Sequence, residues 1–234
     1  MRKDMHISET FYSLQGEGIL TGQPSVFIRT AGCNLHCRWC DSGYAARFAD
    51  GEERAIDSLV AEICRYPTRF CVITGGEPML ARGIHVLAQR LVACGRHVTI
   101  ETAATFPPNG IACTLASLSP KLANSTPDAG VAAAVRTRHE VQRLQPDVLR
   151  DWIDHYDYQL KFVVCSPADI AEILALLEKL ERSIPPERVL LMPEGVASVS
   201  LTNAVEEIIA VCKEHGFRFC DRLHIRLYGN KRGT

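Results

Sequence analysis

Short apolar runs rich in β-branched and aromatic residues alternate along this chain with longer segments of helical period. After a polar start (Met1 to His6) the chain leads straight into a strand-like segment, and Ser25–Thr30 reads as a strand. Ile56–Tyr66 has helical periodicity, with Asp57 and Ser58 near its start. The pattern then predicts a strand over Phe70–Thr74, a helix over Ile84–Ala93 stopped by Gly95, and strands over His97–Glu101 and Leu115–Leu118. Tyr158–Val164 follows as a strand, Ala168–Leu180 as a helix opened by Ser166-Pro167, and Val189–Met192 as a strand. A helix over Leu201–His215, stopped by Gly216, and a last strand over Leu223–Leu227 complete the series. Such alternation argues for an α/β fold with a parallel sheet and helical crossovers. Residues 124–151 are the least regular stretch, with Pro127, Gly130 and an alanine-rich run, and read as an insertion with some helix.

The polar motifs fall at one recurring place. The loop Gly32-Cys33-Asn34-Leu35-His36-Cys37-Arg38-Trp39-Cys40-Asp41, the turn Thr74-Gly75-Gly76-Glu77-Pro78, the pair Glu101-Thr102, the run Ser119-Pro120-Lys121 and the run Pro193-Glu194-Gly195 each follow a predicted strand. In barrels and open α/β sheets ligands bind at the carboxyl ends of strands. Any one of these motifs alone is a turn; together at that edge they imply one shared site.

The cysteine loop carries the most chemistry. Its spacing is C-x3-C-x2-C, three thiols where an ordinary iron–sulfur cluster takes four. Three protein ligands leave one metal position open to a substrate or cofactor. A zinc set of Cys33, Cys37, Cys40 and His36 is a rival, although a zinc ribbon ordinarily shows a second paired knuckle. A disulfide pair with a spare thiol fits poorly, because no apolar signal region precedes the first strand. Cys64, Cys71, Cys94, Cys113, Cys165, Cys212 and Cys220 lie mostly in apolar runs and read as small buried hydrophobes in a reducing compartment. The 234 residues carry a formal net charge of −1, which leaves no basic footprint for nucleic acid. Apolar residues make up 47%, enough for an ordinary core, and no uncharged apolar stretch reaches membrane-spanning length. A cytoplasmic, soluble protein is expected.

These residues together resemble the radical S-adenosylmethionine (SAM) superfamily. Its marks are C-x3-C-x2-C with an aromatic residue before the last cysteine, here Trp39, and a Gly-Gly-Glu-Pro turn after the next strand, here Gly75 to Pro78. The flanks narrow the resemblance to the 7-carboxy-7-deazaguanine synthase family of queuosine precursor biosynthesis. They are Phe11-Tyr12-Ser13-Leu14-Gln15-Gly16-Glu17-Gly18, the run Thr21 to Arg29, Cys40-Asp41-Ser42, Ser119-Pro120-Lys121, Gln159-Leu160-Lys161-Phe162 and the tail Leu223 to Gly233. Only about residues 122–157 lack such marks. The resemblance implies a partial, shortened TIM-like barrel forming a single radical SAM domain over residues 1–234, with about 122–157 inserted.

It further implies a 4Fe–4S cluster on Cys33, Cys37 and Cys40, whose fourth iron binds SAM. Reduction would cleave SAM to a 5′-deoxyadenosyl radical that takes a hydrogen from 6-carboxy-5,6,7,8-tetrahydropterin. Ring contraction and loss of ammonia would then give 7-carboxy-7-deazaguanine, with SAM regenerated. By the same resemblance Trp39, Asp41, Gly76, Ser119, Lys121, Gln159 and Lys161 would form the SAM site. Leu14, Gln15, Gly16, Arg29 and Thr74 would hold the pterin, Arg29 through its carboxylate. Ser42 would place Mg2+, standing where relatives commonly have threonine; Tyr228 stands where many have tryptophan. A homodimer and a separate electron donor, of unstated identity, are also implied. His224 and the other histidines receive no catalytic role. Two rivals remain at this point: a zinc-stabilised binding module, and an activating enzyme that makes a glycyl radical on a partner protein.

Overall fold

The computed structural model describes residues 4–195 and 205–234. Its strands are β1 (Asp4–Leu14), β2 (Pro24–Thr30), β3 (Glu52–Ala55), β4 (Phe70–Gly75), β5 (His97–Thr102), β6 (Leu115–Leu118), β7 (Tyr158–Val164), β8 (Val189–Pro193) and β9 (Arg218–Phe219). They form one sheet in the order β3-β1-β2-β4-β5-β6-β7-β8-β9. β1 runs antiparallel to both of its neighbours, and every pairing from β2 onward is parallel. Among the described residues the edge strands β3 and β9 do not pair with each other, so the sheet is not closed, and its run of parallel strands joined through helices is that of a partial TIM-like barrel.

Alternation along the parallel strands sorts side chains onto two faces. Ile28, Ile73, Ile100, Leu118, Phe162 and Leu191 join one buried core cluster on the outer face. Helices α1 (Ile56–Ile63), α2 (Ile84–Ala93), α4 (Pro146–His155), α5 (Pro167–Lys179) and α6 (Val205–His215) contribute to the same cluster. Ile84, Leu87, Ala88 and Leu91 of α2 show how the helices fit, since that spacing makes one apolar stripe. Each fully buried aliphatic side chain contributes on the order of 2 kcal/mol. The residues one step along each strand, Arg29, Thr74, Glu101, Ser117, Lys161 and Met192, face inward. The polar residues flagged in the sequence therefore share the barrel interior because of strand periodicity.

The irregular stretch carries α3 (Ala133–Gln142) as well as α4. The helix expected over Leu201–His215 is present from Val205; residues 201–204 lie outside the described residues. Two strand assignments need correction. β3 has the sequence Glu-Glu-Arg-Ala, exposed at nearly every position, and so gave no apolar signal. Leu223–Leu227, read as the last strand, lies in helix α7 (Leu223–Tyr228). Its alternating apolar and polar residues mimic a strand, but β9 already ends the sheet. The Leu223 N–H donates instead to Gly16 O at 2.9 Å, and Arg222 pins the helix start. No described helix is long and apolar enough to cross a membrane.

Candidate active site

The carboxyl ends of the strands open into a cavity of about 580 Å³. The cysteine loop leaves β2 and forms one wall. Gly32 makes that exit possible at φ +100°, a region L side chains rarely adopt, with the Phe48 ring packed where a Cβ would lie. The loop is pinned by Gly32 N–H to Ala45 O (2.8 Å) and Cys33 N–H to Ala46 O (3.0 Å). All ten cysteines are free thiols, and Cys33, Cys37 and Cys40 all line the cavity. Burial pushes Cys33 up to about 12 and Cys37 up to about 11, and raises Cys40 as well. Burial thus favours the neutral thiols, whereas the thiolate is the ligating form; a cation bound among them would supply the positive charge that favours three thiolates. Among the described residues no three Cys, His, Asp or Glu side chains converge as a single ion requires. Three soft donors on one loop suit a multi-iron cluster with an open position.

The Gly75-Gly76 turn joins this loop directly. The Glu77 N–H donates to Gly32 O at 2.9 Å and the Gly76 N–H to Thr30 O at 3.3 Å. A Cβ at Gly76 would stand 2.3 Å from Gly32 O and 2.8 Å from the Cys33 Cβ, so only glycine permits the approach. Glu77 is buried and accepts from Met79 N–H, Thr102 Oγ1 and Ala103 N–H, tying the end of β4 to that of β5. Burial raises its carboxyl despite these three donors.

The interior face adds a network of charges. Lys161, 4% exposed, donates to Glu17 and lies 3.7 Å from Glu101. Arg222, equally buried, holds Glu17 through Nε at 3.1 Å, Asp41 through Nη2, and Gly195 O through Nη1. Burial alone would raise Glu17, but Lys161, Arg222 and His224 outweigh it and hold the carboxyl far below its usual range. Burial likewise opposes the charge on Lys161, and Glu17 with Glu101 raises it all the same. His224 is lowered, chiefly by burial.

Nearer the mouth, Arg29 sits between the rings of Phe11 and Tyr44, each 5.8 Å from its guanidinium carbon. Its Nε donates to Glu9 at 2.7 Å, and Tyr44 Oη donates to the same oxygen at 2.6 Å. Among the described residues no partner holds the two Nη groups of Arg29, which leaves a fork for a carboxylate. Arg232 donates to Glu9 and to Ser8 O, bringing the tail Asn230–Thr234 onto the cavity wall. Lys121 lies 5.5 Å from the Trp39 ring centre and donates to Ser119 Oγ at 2.8 Å. Gln15 Nε2 donates to Glu101 at 3.2 Å.

Of the residues the sequence singled out, Leu14, Gln15, Gly16, Arg29, Cys33, Cys37, Trp39, Cys40, Asp41, Ser42, Thr74, Gly76, Ser119, Lys121 and Lys161 all line this cavity. Gln159 does not. It faces inward two residues before Lys161, below the floor, accepting from Ile19 N–H at 2.8 Å and donating to Ser117 Oγ at 2.7 Å. Gly18 packs against its amide. Glu9, Glu17, Tyr44, Arg222 and His224 also reach the site and had been given no role. A signal for Glu17 existed: a lysine inside the apolar run Leu160 to Val164 requires a buried carboxylate.

A model of the radical SAM superfamily matches residues 27–194. The 7-carboxy-7-deazaguanine synthase of Rhodopirellula baltica is 43% identical over 229 residues, covering 97% of this chain and 88% of that protein. The protein of the same name from Halobacterium salinarum is 42% identical, covering 96% and 90%. Among solved structures, QueE from Escherichia coli superposes with a TM-score of 0.73 at 26% identity, covering 95% of this chain and 96% of that one. Likeness of this extent runs through every strand that supplies the cavity, and the chain therefore belongs to the radical SAM superfamily and, within it, to the 7-carboxy-7-deazaguanine synthase family.

Proposed function

We propose that this cavity converts 6-carboxy-5,6,7,8-tetrahydropterin to 7-carboxy-7-deazaguanine and ammonia. The observation that carries the reading is one cavity lined at once by three free thiols, a glycine turn against them, and an arginine with an open fork. Cys33, Cys37 and Cys40 would hold the 4Fe–4S cluster. Trp39, Asp41, Gly76, Ser119, Lys121 and Lys161 would hold SAM, with Gly76 offering backbone at close range. When bound, cluster and SAM supply hydrogen-atom abstraction at a carbon that no protein base could deprotonate.

The chain's own residues bind and orient. Arg29 grips the pterin carboxylate through its Nη pair while Glu9 holds Nε, so the fork faces one way. Leu14, Gln15 and Gly16 hold the ring through main chain and amide, with Thr74 at the strand end. The tail helps exclude water through the Arg232–Glu9 bond. Substrate equals product plus ammonia atom for atom, so the reaction consumes no net electrons. Gln159 supports this site from below through Ser117 and Ile19.

The Ser42 hydroxyl, beside Cys40 on the wall, suits a Mg2+ that takes its remaining oxygens from water and substrate. One sheet containing strands from residue 4 to residue 219 supports a single domain. A homodimer, an external electron donor and a cytoplasmic setting rest on the family likeness.

The test is anaerobic reconstitution with reductant, SAM and the pterin, followed by mass spectrometry. We expect 7-carboxy-7-deazaguanine from the native chain and none from Cys33→Ala. An iron–sulfur protein that cleaves SAM but leaves the pterin unchanged would refute the substrate.

A further inference from the structure

Helix α3 presents an oddity of burial. Of its ten residues only His139 is buried, so hydrophobic packing does not explain where the helix sits. His139 is 1% exposed and Ser125 beside it is fully buried. The Ser125 hydroxyl donates to Leu122 O at 2.6 Å, and its Oγ lies 3.0 Å from His139 Nε2. A serine hydroxyl has one proton, already committed to Leu122, so Nε2 must carry the hydrogen. Nδ1 is then a bare acceptor, and it receives the backbone N–H of His36 at 3.2 Å. One tautomer satisfies all three groups. His36 directly precedes Cys37.

The same segment grips the cysteine loop at further points. The Arg38 N–H donates to Ser125 O at 3.0 Å. The Trp39 indole N–H donates to both oxygens of Asn124 at 3.1 Å, and Asn124 Nδ2 is anchored on Val163 O of β7 at 2.9 Å. Asn34 donates to Gln142 Oε1 at the end of α3, at 3.3 Å. Four residues between the first and last cysteine are thus held by residues 124–142, the stretch that carries no family mark in the sequence.

We infer that residues 124–142 form a clamp that preorganises the cysteine loop, with His139 as its central positioning residue through the His36 N–H. The inference rests on Cys33, Cys37 and Cys40 being the cluster ligands. His139 touches neither cluster nor substrate; it fixes the backbone from which Cys37 projects. Three thiols on a loop without regular secondary structure otherwise wander, and ligation must then supply their ordering. The clamp lowers that cost and slows loss of the cluster.

Two substitutions separate positioning from general stability. In His139→Asn the amide oxygen occupies the place of Nδ1 and retains the acceptor for His36. In His139→Gln the amide reaches the place of Nε2, retains Ser125 and leaves the His36 N–H unsatisfied. Each removes one of the two bonds. The reconstituted full-length holoprotein is challenged anaerobically with an iron chelator, and decay of the iron–sulfur absorbance is followed alongside the melting of each apoprotein. We expect His139→Gln to lose its cluster about ten-fold faster than the native chain, the effect of one lost, part-buried hydrogen bond. His139→Asn should stay within about two-fold of native, although its apoprotein melts no higher than that of His139→Gln. Equal loss in both variants, or native rates in His139→Gln, overturns the clamp while leaving the cluster assignment intact. A native chain that takes up zinc and no iron–sulfur cluster overturns the assignment and the clamp together.

Discussion

Replacing Glu17 with glutamine removes one negative charge from the centre of the site and almost no volume. Glu17 is the shared partner of Lys161 and Arg222, both nearly inaccessible. Glutamine can still accept from each, but two charge-assisted bonds become ordinary ones. That difference is about 1 kcal/mol per bond. Lys161 is left with Glu101 at 3.7 Å, while Arg222 retains Asp41 and Gly195 O. The two bonds place the loss at about 2 kcal/mol, below the 3–5 kcal/mol typical when a buried pair is broken outright, because the remaining carboxylates still partner both cations. For a chain of this size that lowers the melting temperature by about 4–8 °C. The pH dependence gives a sharper check. The folded carboxyl is held far below its unfolded value of about 4.3, so its contribution is complete above that value and fades as pH falls. The gap between native and Glu17→Gln chains should be constant from pH 8 to 6 and about 1 kcal/mol narrower at pH 3.5. Urea unfolding of both apoproteins across that range measures it. A gap under 1 kcal/mol at pH 7, or one that does not narrow in acid, would refute the account of the network.

Gly76→Ala places a methyl group 2.3 Å from Gly32 O, and backbone must move to admit it. The Gly-Gly turn should part from the cysteine loop, with about 1–3 kcal/mol lost in thermal melts and SAM affinity in calorimetry down by at least about ten-fold. Arg29→Lys keeps the charge and loses the fork, so steady-state kinetics should show KM for the pterin rising by about ten-fold or more with kcat little changed. If kcat falls instead, Arg29 acts beyond uniform binding.

What the linear sequence determined is whatever depends on neighbours along the chain. Period-two alternation within each strand puts Ile28, Ile73, Ile100 and Phe162 on one face, and so Arg29, Thr74, Glu101 and Lys161 on the other. The spacing of Cys33, Cys37 and Cys40 and the Gly75–Pro78 turn are equally local, and they carried the family. Tertiary structure decided the rest, because those properties depend on distant partners. Arg222 meets Glu17 across 205 positions, a pairing no periodicity announces. β3 exists because β1 offers it an edge, not because its polar sequence favours a strand. Leu223–Tyr228 alternates like a strand and is helical because the sheet already ends at β9. Gln159 lies two residues from Lys161, yet the depth of the barrel puts one beneath the floor and the other inside the cavity. His139 reads as an ordinary helical histidine until the fold carries it to the His36 N–H, 103 residues away in sequence.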